Sequence, residues 1–273
     1  VAAFYGRTHG DPVKALKGCL RELKKQIIAE IGSLDINITL AATTGSSREI
    51  LGVFMETSGI YNEIIAHTVG AAYFDSEIDT IFEIGGQDAK YVLIKNSVPI
   101  DYAMNEACSA GTGSFLEESA QGDLAINSPD EIGPLAEKAA APLKFGEHCS
   151  AFINSDLRKA VQEGAARSDI VAGLVYSIVH NYLNRVVGNR TVGKRIVLQG
   201  GVAKNSAIPL AFAALTGKDI IVPPDPELMG CFGVALLARR KLKEGLLYPS
   251  SYSIEDVLED RKSTRLNSSH GKL

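Results

Sequence analysis

TIFEIGGQDAKYVLIKNSVPIDYAMNEACSAGTGSFLEESAQ, residues 80–121, is the stretch that decides the fold. Residues 80–84 predict a strand that runs straight into Gly85-Gly86-Gln87-Asp88. Residues 90–95 and 98–103 alternate in the manner of strands, and Asn96-Ser97 between them is short, polar turn chemistry. The stretch therefore predicts a three-stranded antiparallel meander.

Two small-residue loops border this predicted sheet. Glycines in the loop 85–88 let the backbone approach an anion closely. The loop 108–113, Cys-Ser-Ala-Gly-Thr-Gly, leads into a predicted helix whose N-terminal amides could hold a phosphate. Each loop alone is more often a plain tight turn, and neither is a Walker A loop or a dinucleotide fingerprint. Their pairing favours a phosphate site.

An alternating α/β pattern follows further along the chain. Residues 195–199 predict a strand that stops at Gly200-Gly201-Val202-Ala203-Lys204-Asn205. A helix to residue 216, a strand at 219–222 and a helix at 227–243 come next. Alternation of this kind is typical of an α/β domain, here interrupted by a helical insertion at about 122–190.

The N-terminal part predicts a shortened copy of the same arrangement. Asp11-Pro12 is a good helix start, and residues 36–40 predict a strand that ends in a small polar loop at 41–47. We interpret residues 1–79 as an incomplete first half that lacks its opening hairpin. Residues 80–245 are then the second half, and 246–273 a tail that is disordered or extraneous.

Composition excludes several classes of function. The 273 residues carry a net charge of -4, which gives no general attraction to nucleic acid, and no basic and aromatic side chains interleave. No charge-free apolar run reaches the span of a bilayer, so a cytoplasmic location is the default expectation. The four cysteines form no C-x-x-C pair, which argues against a disulfide framework and a zinc site. On the residues alone, Cys108 and Cys149 are more often buried packing residues than metal ligands.

Five ordered motifs together resemble the BadF/BadG/BcrA/BcrD ATPase family, which includes the activator of 2-hydroxyglutaryl-CoA dehydratase. They are IFEIGGQDAKY, MNEACSAGTGSFLEE, EHCSAFINSDL, VAGLVYSIVHNYLNRVVG and VLQGGVAKN, and the resemblance covers residues 1–240. Within this family, the sequence resembles in particular the second ATPase module of the long fused members. The fold that it implies is the duplicated ribonuclease H-like fold of the actin, sugar kinase and heat-shock ATPase superfamily, with the first half truncated at its N-terminus.

The resemblance also implies a role for individual residues in binding ATP or ADP with Mg²⁺. Gln87 or Asp88 would contact the magnesium ion or the attacking water. The residues that would line the nucleotide are Gly85, Gly86 and Lys90 at the second phosphate loop, Gly111, Thr112 and Gly113 beside the phosphates, and Gly200, Gly201, Val202 and Asn205 along the adenosine.

Cys108 and Cys149 match the two cysteines of the family that hold half of a [4Fe-4S] cluster, the other half coming from a second subunit. The resemblance therefore implies a homodimer that uses ATP to pass a strongly reducing electron to a CoA-ester dehydratase or reductase. Ferredoxin or flavodoxin would be the electron source, in anaerobic metabolism.

The sequence departs from the family in three places, and two other functions are kept open. The first phosphate loop of the family is absent, so we expect impaired ATP hydrolysis. Asn154 stands where relatives carry an acid, and the ending after Asp260 does not match the family. A sugar or carboxylate kinase of the same superfamily would leave Cys108 and Cys149 unexplained. A non-catalytic nucleotide-binding module of a larger protein is the third hypothesis.

Overall fold

The structure, a computed structural model, describes residues 2–105, 109–145, 150–249 and 252–259. The chain divides into two compact units, one formed by Val1–Gly70 with Gly230–Leu273 and the other by Ala71–Met229. The predicted boundary between residues 79 and 80 concerns an internal repeat and stays a prediction. Within the described ranges, no helix combines the length and the apolar character needed to cross a bilayer.

The described residues form five strands and ten α-helices. The strands are β1 Thr80–Ile84, β2 Ala89–Lys95, β3 Val98–Met104, β4 Ile196–Gln199 and β5 Ile220–Ile221. The helices are α1 Pro12–Ile31, α2 Arg48–Phe54, α3 Glu63–Phe74, α4 Gly113–Leu124, α5 Ile132–Ala136, α6 Ser150–Gln162, α7 Arg167–Tyr182, α8 Ala207–Thr216, α9 Met229–Lys243 and α10 Ile254–Leu258.

The larger unit is built on a single mixed sheet. Its strand order is β3-β2-β1-β4-β5, in which β1, β2 and β3 are antiparallel while β4 and β5 run parallel to β1. The predicted meander is therefore confirmed. Asn96 and Ser97 join β2 to β3 with φ angles of 52° and 59°, the left-handed pair that a tight hairpin with native twist requires.

An aromatic cluster fills the core between the sheet and the helices. The ring of Phe82 on β1 lies 5.3 Å from that of Tyr182 and 5.1 Å from that of Phe212, centroid to centroid. Tyr182 ends α7, a helix buried on most of its surface, and its hydroxyl donates a hydrogen bond to the carbonyl oxygen of Lys90 at 2.7 Å. Complete burial raises the pKa of Tyr182 well above its usual value, so the hydroxyl keeps its proton.

Within the insertion, the sequence also predicts a short strand at 143–145. This prediction is wrong, because the segment is a loop that packs against α7. The missing side chain of Gly173 admits the carbonyl oxygen of Leu143 and the ring of Phe145, which explains the apolar character of the segment. The sequence further predicts a helix that begins at residues 128–131 and ends near residue 140, and the observed helix is shorter, since α5 ends at Ala136.

The smaller unit is helical in its described parts. Asp11 caps α1 as predicted, accepting a hydrogen bond from the Lys14 amide at 2.9 Å. The strand predicted at 36–40 is wrong: of these residues only Ile38 pairs, in an isolated bridge with Tyr252. A lone bridge supplies too few backbone hydrogen bonds to extend a strand.

Two further features of this unit bear on the sequence interpretation. Gly230 and Gly233 predict that another element packs close to α9, and Gly233 leaves room for the backbone of α3 at Ala66. Within the predicted tail, residues 252–259 include α10, whose Glu255 pairs with Lys24 of α1 at 2.9 Å. The remainder of that tail, from residue 260, lies outside the described residues.

Candidate functional site

Two of the predicted glycine loops lie at the same edge of the sheet. Strands β1 and β4 are parallel neighbours, with Glu83 paired to Gln199. Their carboxyl ends run directly into Gly85–Asp88 and into the turn Gly201–Lys204. Ligands of α/β sheets bind at this edge, so the topology alone places the two loops around a shared location.

The first turn of α4 joins these loops and holds one of them in place. The amide of Gly113 donates to the carbonyl oxygen of Gly85 at 2.9 Å, and that of Ser114 donates to Gly86 at 2.8 Å. The side-chain amide of Gln87 adds a bond to the Ser114 hydroxyl at 2.8 Å. The sequence predicted that amides of this helix start would face a phosphate. In the structure these two amides instead clamp the loop that follows β1.

The glycines of the second loop are needed for backbone contact. A Cβ on Gly113 would lie 2.8 Å from Cγ2 of Val202 and 3.1 Å from the carbonyl oxygen of Gly85. Gly111 has a φ of +93°, and a Cβ there would lie 2.9 Å from the backbone nitrogen of Tyr182. The three predicted loops are thus brought together, backbone against backbone, although they lie far apart in the sequence.

Gly200 closes the third loop against the end of β1. Its φ is +90°, and a Cβ at this position would meet the carbonyl group of Ile84 and, at 2.8 Å, Oε1 of Glu83. Its amide donates to the carbonyl oxygen of Pro226 at 2.9 Å. Gly200 therefore ties the turn before α9 to the same edge of the sheet.

A buried ion pair beneath these loops was missed in the sequence. Glu83 of β1 and Lys90 of β2 face each other across the hairpin, with Oε2 and Nζ 2.9 Å apart and both side chains 7% exposed. Lys90 was predicted to bind the nucleotide, and in the structure its ammonium group is engaged by Glu83. The sequence does contain a signal for this pair. Glu83 interrupts an apolar strand, and the four-residue turn 85–88 places Lys90 opposite it in the hairpin.

The turn that carries Gln87 and Asp88 is held by Asn105, a residue for which the sequence pattern predicts no role in the site. The Asn105 side chain accepts from the Ala89 amide at 2.6 Å and donates to the carbonyl oxygen of Gln87 at 3.3 Å. Gln87 is exposed and Asp88 half-buried, so both predicted catalytic residues stand at the surface of a fixed turn. Only the place of Asn105 two residues after the strand predicted at 98–103 could have suggested its role.

Thr112 and Asn205 are both engaged locally. The buried Thr112 hydroxyl donates to the carbonyl oxygen of Ser109 at 2.7 Å. Oδ1 of Asn205 accepts from the Ala207 amide at 3.0 Å, which fixes the side chain at the start of α8. Thr112 therefore shapes its loop, while Asn205 keeps its amide nitrogen for another partner.

The predicted cluster ligands Cys108 and Cys149 lie outside the described residues. In the part of the chain that is described, no three histidine, cysteine or acidic side chains converge in a way that could hold a metal ion. The described thiols, Cys19 and Cys231, are both free and belong to the smaller unit.

The two helices that follow those cysteines run side by side in the same direction. Ser119 of α4 bonds to Asn154 of α6 at 3.0 Å, and one turn further along both helices Asp123 pairs with Arg158 at 2.6 Å. Equal steps along both helices mean a parallel pair. Asn154, noted above as a departure from the family, has a defined role here, because it accepts the Ser119 hydroxyl.

Comparison with known proteins agrees with this geometry. A sequence model described as the BadF/BadG/BcrA/BcrD ATPase family matches residues 3–238. The 2-hydroxyisocaproyl-CoA dehydratase activator of Clostridioides difficile is 34% identical over 184 residues, covering 67% of this chain and 68% of the relative.

Two solved structures are similar over most of their length. The crystal structure of component A of (R)-2-hydroxyglutaryl-CoA dehydratase from Acidaminococcus fermentans superposes with a TM-score of 0.72 at 25% identity, covering 89% of this chain and 88% of that one. The activator of 2-hydroxyisocaproyl-CoA dehydratase from Clostridium difficile with bound ADPNP gives 0.71 at 29% identity, covering 90% and 86%. These neighbours have the actin, heat-shock ATPase and sugar kinase type of fold, which confirms the predicted fold class.

Proposed function

Because the chain belongs to the BadF/BadG/BcrA/BcrD ATPase family, we propose that it is an ATP-dependent electron donor that activates a 2-hydroxyacyl-CoA dehydratase or a benzoyl-CoA reductase-type enzyme. The observation that carries the proposal is the convergence of three glycine loops at one sheet edge, in a chain whose relatives are activators of such dehydratases. When bound, ATP supplies the free energy, and a [4Fe-4S] cluster supplies one electron at low potential.

The described loops fit a nucleotide. Gly85 and Gly86 present backbone at the end of β1, and Gly86 and Gln87 are exposed above it. In our proposal this turn holds the phosphates, and Gln87 or Asp88 positions Mg²⁺ or the attacking water. Gly200 to Asn205, at the end of the neighbouring strand, would border the adenosine. Backbone at the end of β1 suits the phosphates, since anions bind where backbone amides can approach closely.

The helix pair supports a shared position for the cluster ligands. Since α4 and α6 are parallel, the chain reaches their first turns at the same end. Cys108 precedes Gly113 by five residues, and Cys149 immediately precedes Ser150. Two thiolates are half of the four that a [4Fe-4S] cluster takes, so we propose that a second copy of the chain supplies the other half.

Hydrogen bonds link the phosphate loop to the segment that follows Cys108. The Thr112 amide and hydroxyl both bond to Ser109, at 3.0 and 2.7 Å, while the next two amides hold Gly85 and Gly86. A displacement of the phosphate loop would therefore pull on residues adjacent to Cys108. Through this link, ATP binding can move the residues next to the cluster. In our proposal, ferredoxin or flavodoxin is the electron source, and the protein acts in the cytoplasm.

The proposal is tested by rebuilding the cluster in the full chain under anaerobic conditions. We expect a brown dimer with about four iron atoms per two chains, a content lost in Cys108→Ser and in Cys149→Ser. Cys231→Ser, which changes an exposed thiol of the smaller unit, is the matched control and should keep the cluster. Iron analysis and visible absorption are the measurements.

Wild-type protein that stays colourless after reconstitution would end the electron-donor assignment. Reduction of a partner dehydratase without any need for ATP would contradict the coupling. A kinase would instead transfer phosphate to a sugar or carboxylate, and that product is measured in the same preparation.

A further inference from the structure

Glu227 has one carboxylate oxygen bound and one unsatisfied. It lies in the turn Pro226–Leu228 before α9, with its side chain 7% exposed. Oε1 accepts from the ammonium group of Lys204 at 2.9 Å. Oε2 is buried and has no hydrogen-bond partner among the described residues. A buried carboxylate oxygen without a donor is costly, so this atom indicates a ligand group.

Asn205 presents the complementary group. Its Oδ1 is taken by the Ala207 amide, and this bond identifies the other terminal atom as the amide nitrogen. That Nδ2 atom is buried and donates to no acceptor within the described ranges. The two segments thus contain one unused acceptor, Glu227 Oε2, and one unused donor, Asn205 Nδ2.

Both side chains belong to the same small region. The Gly200 amide bonds to Pro226, the residue before Glu227, at 2.9 Å. Lys204, which holds Glu227, immediately precedes Asn205 in the chain. The two unused atoms therefore belong to segments that are tied to the Gly200 turn, where the proposed function puts the adenosine.

We propose that Glu227 and Asn205 bind the vicinal hydroxyls of the ribose and make the chain selective for ribonucleotides; this inference rests on the proposed function. A carboxylate only accepts hydrogen bonds and an amide nitrogen only donates them. A hydroxyl pair satisfies both, giving its proton to Oε2 of Glu227 and a lone pair to Nδ2 of Asn205. An acidic side chain that accepts from a ribose hydroxyl is an established way to recognise nucleotides in α/β proteins.

The test is isothermal titration of the full chain with ADP, 2′-deoxy-ADP and 3′-deoxy-ADP. Wild-type protein should bind ADP about tenfold or more tightly than either analogue, the ratio expected for one charge-assisted hydrogen bond. Glu227→Gln should weaken ADP binding and reduce that ratio to about threefold or less. Glu77→Gln is the control, because Glu77 is 79% exposed and precedes β1 at the opposite end of the strand.

Asn205→Asp is a second variant with the same expected loss of sugar discrimination. It keeps the oxygen that accepts from Ala207 and replaces only the donor. This variant decides the question if Glu227→Gln does not fold, as judged by circular dichroism.

The outcomes separate this inference from the proposed function. If the wild type binds no ADP, both fail. If it binds ADP but does not discriminate the sugars, or if both variants keep full discrimination, only the ribose assignment is overturned. The same holds if the variants lose discrimination between ADP and inosine diphosphate while keeping that between the sugars, because the two side chains would then bind the base.

Discussion

At the scale of single residues, the site depends on glycines that cannot be replaced. Gly200→Ala should lower the free energy of unfolding by about 2 to 4 kcal/mol, because its φ is +90° and a Cβ would collide with Ile84. Gly122→Ala is the matched control. Gly122 lies within α4 with open space around it, so alanine there should stabilise the chain by about 0.5 to 1 kcal/mol. Urea unfolding measures the free energy of unfolding of both variants. An equal change in the two variants would contradict the close packing of the Gly200 turn.

The buried pair of Glu83 and Lys90 gives a second prediction. Lys90→Met leaves a buried carboxylate without its cation, which should cost about 3 to 5 kcal/mol. Adding Glu83→Gln to that variant should restore part of the loss. Arg190→Gln, which breaks the half-exposed pair with Asp101 at 3.7 Å, should cost about 1 kcal/mol or less. If Lys90→Met and Arg190→Gln lower the free energy of unfolding equally in urea, burial does not make the Glu83–Lys90 pair more important than an exposed pair.

The sequence predicted the glycine loops but not the polar residues that support them. Glycine turns after strands are visible in the order of the residues, and Gly85, Gly113 and Gly200 are all brought together as expected from a shared sheet edge. The sequence pattern does not reveal the role of Asn105, because its bonds to the turn join residues that lie 16 and 18 positions away. Such contacts depend on the exact strand register, which a pattern of residue types does not give.

At the scale of elements, prediction succeeded where local periodicity determines the structure. The hairpins β1 to β3 are set by alternation and by turn residues, and both signals lie within a few residues of each other. Residues 36–40 also alternate but form no strand, because a strand needs a neighbour and only Ile38 finds one. Tertiary pairing, which the pattern does not contain, decided that case.

The joint between α3 and the start of β4 gives a prediction with a pH dependence. A hydrogen bond from Arg195 at 2.6 Å, aided by the Glu77 amide, lowers the pKa of Asp75. Because its pKa is lowered in the folded state, Asp75 stabilises the fold at pH values above the pKa of the unfolded chain, about 3.9. This contribution is lost as the pH falls through the folded pKa. Asp75→Asn should therefore destabilise the chain at pH 7 and have a smaller effect at pH 3.

The control for this joint is Asp219→Asn, which changes an exposed aspartate before β5. Its effect on urea unfolding should be small at both pH values, as expected for a surface substitution. A cost of Asp75→Asn that is the same at pH 3 and pH 7 would show that the ion pair with Arg195 does not act through the lowered pKa.

At the scale of the whole molecule, the proposed nucleotide loops all come from the unit Ala71–Met229. The phosphate loop, the start of α4 and the Gly200 turn are held by the same sheet and aromatic core. The proposed cluster ligands precede α4 and α6 of this unit in the sequence. Nucleotide binding and cluster binding should therefore be separable by substitution, although they are linked through the residues between Cys108 and Gly113.

This separation is measurable on the intact chain. ADP at a hundred times its dissociation constant should raise the free energy of unfolding by about 2.7 kcal/mol, because it binds only the folded state. Cys108→Ser should keep this stabilisation while it loses iron, since Gly111, Thr112 and Gly113, and not Cys108, are the residues of that loop proposed to line the nucleotide. Gly200→Ala should show the reverse, keeping iron and losing most of the stabilisation by ADP, because a side chain there displaces the end of β1. Loss of both properties in Cys108→Ser would mean that the cluster builds the nucleotide site itself, and the coupling would then be structural instead of a switch between two states.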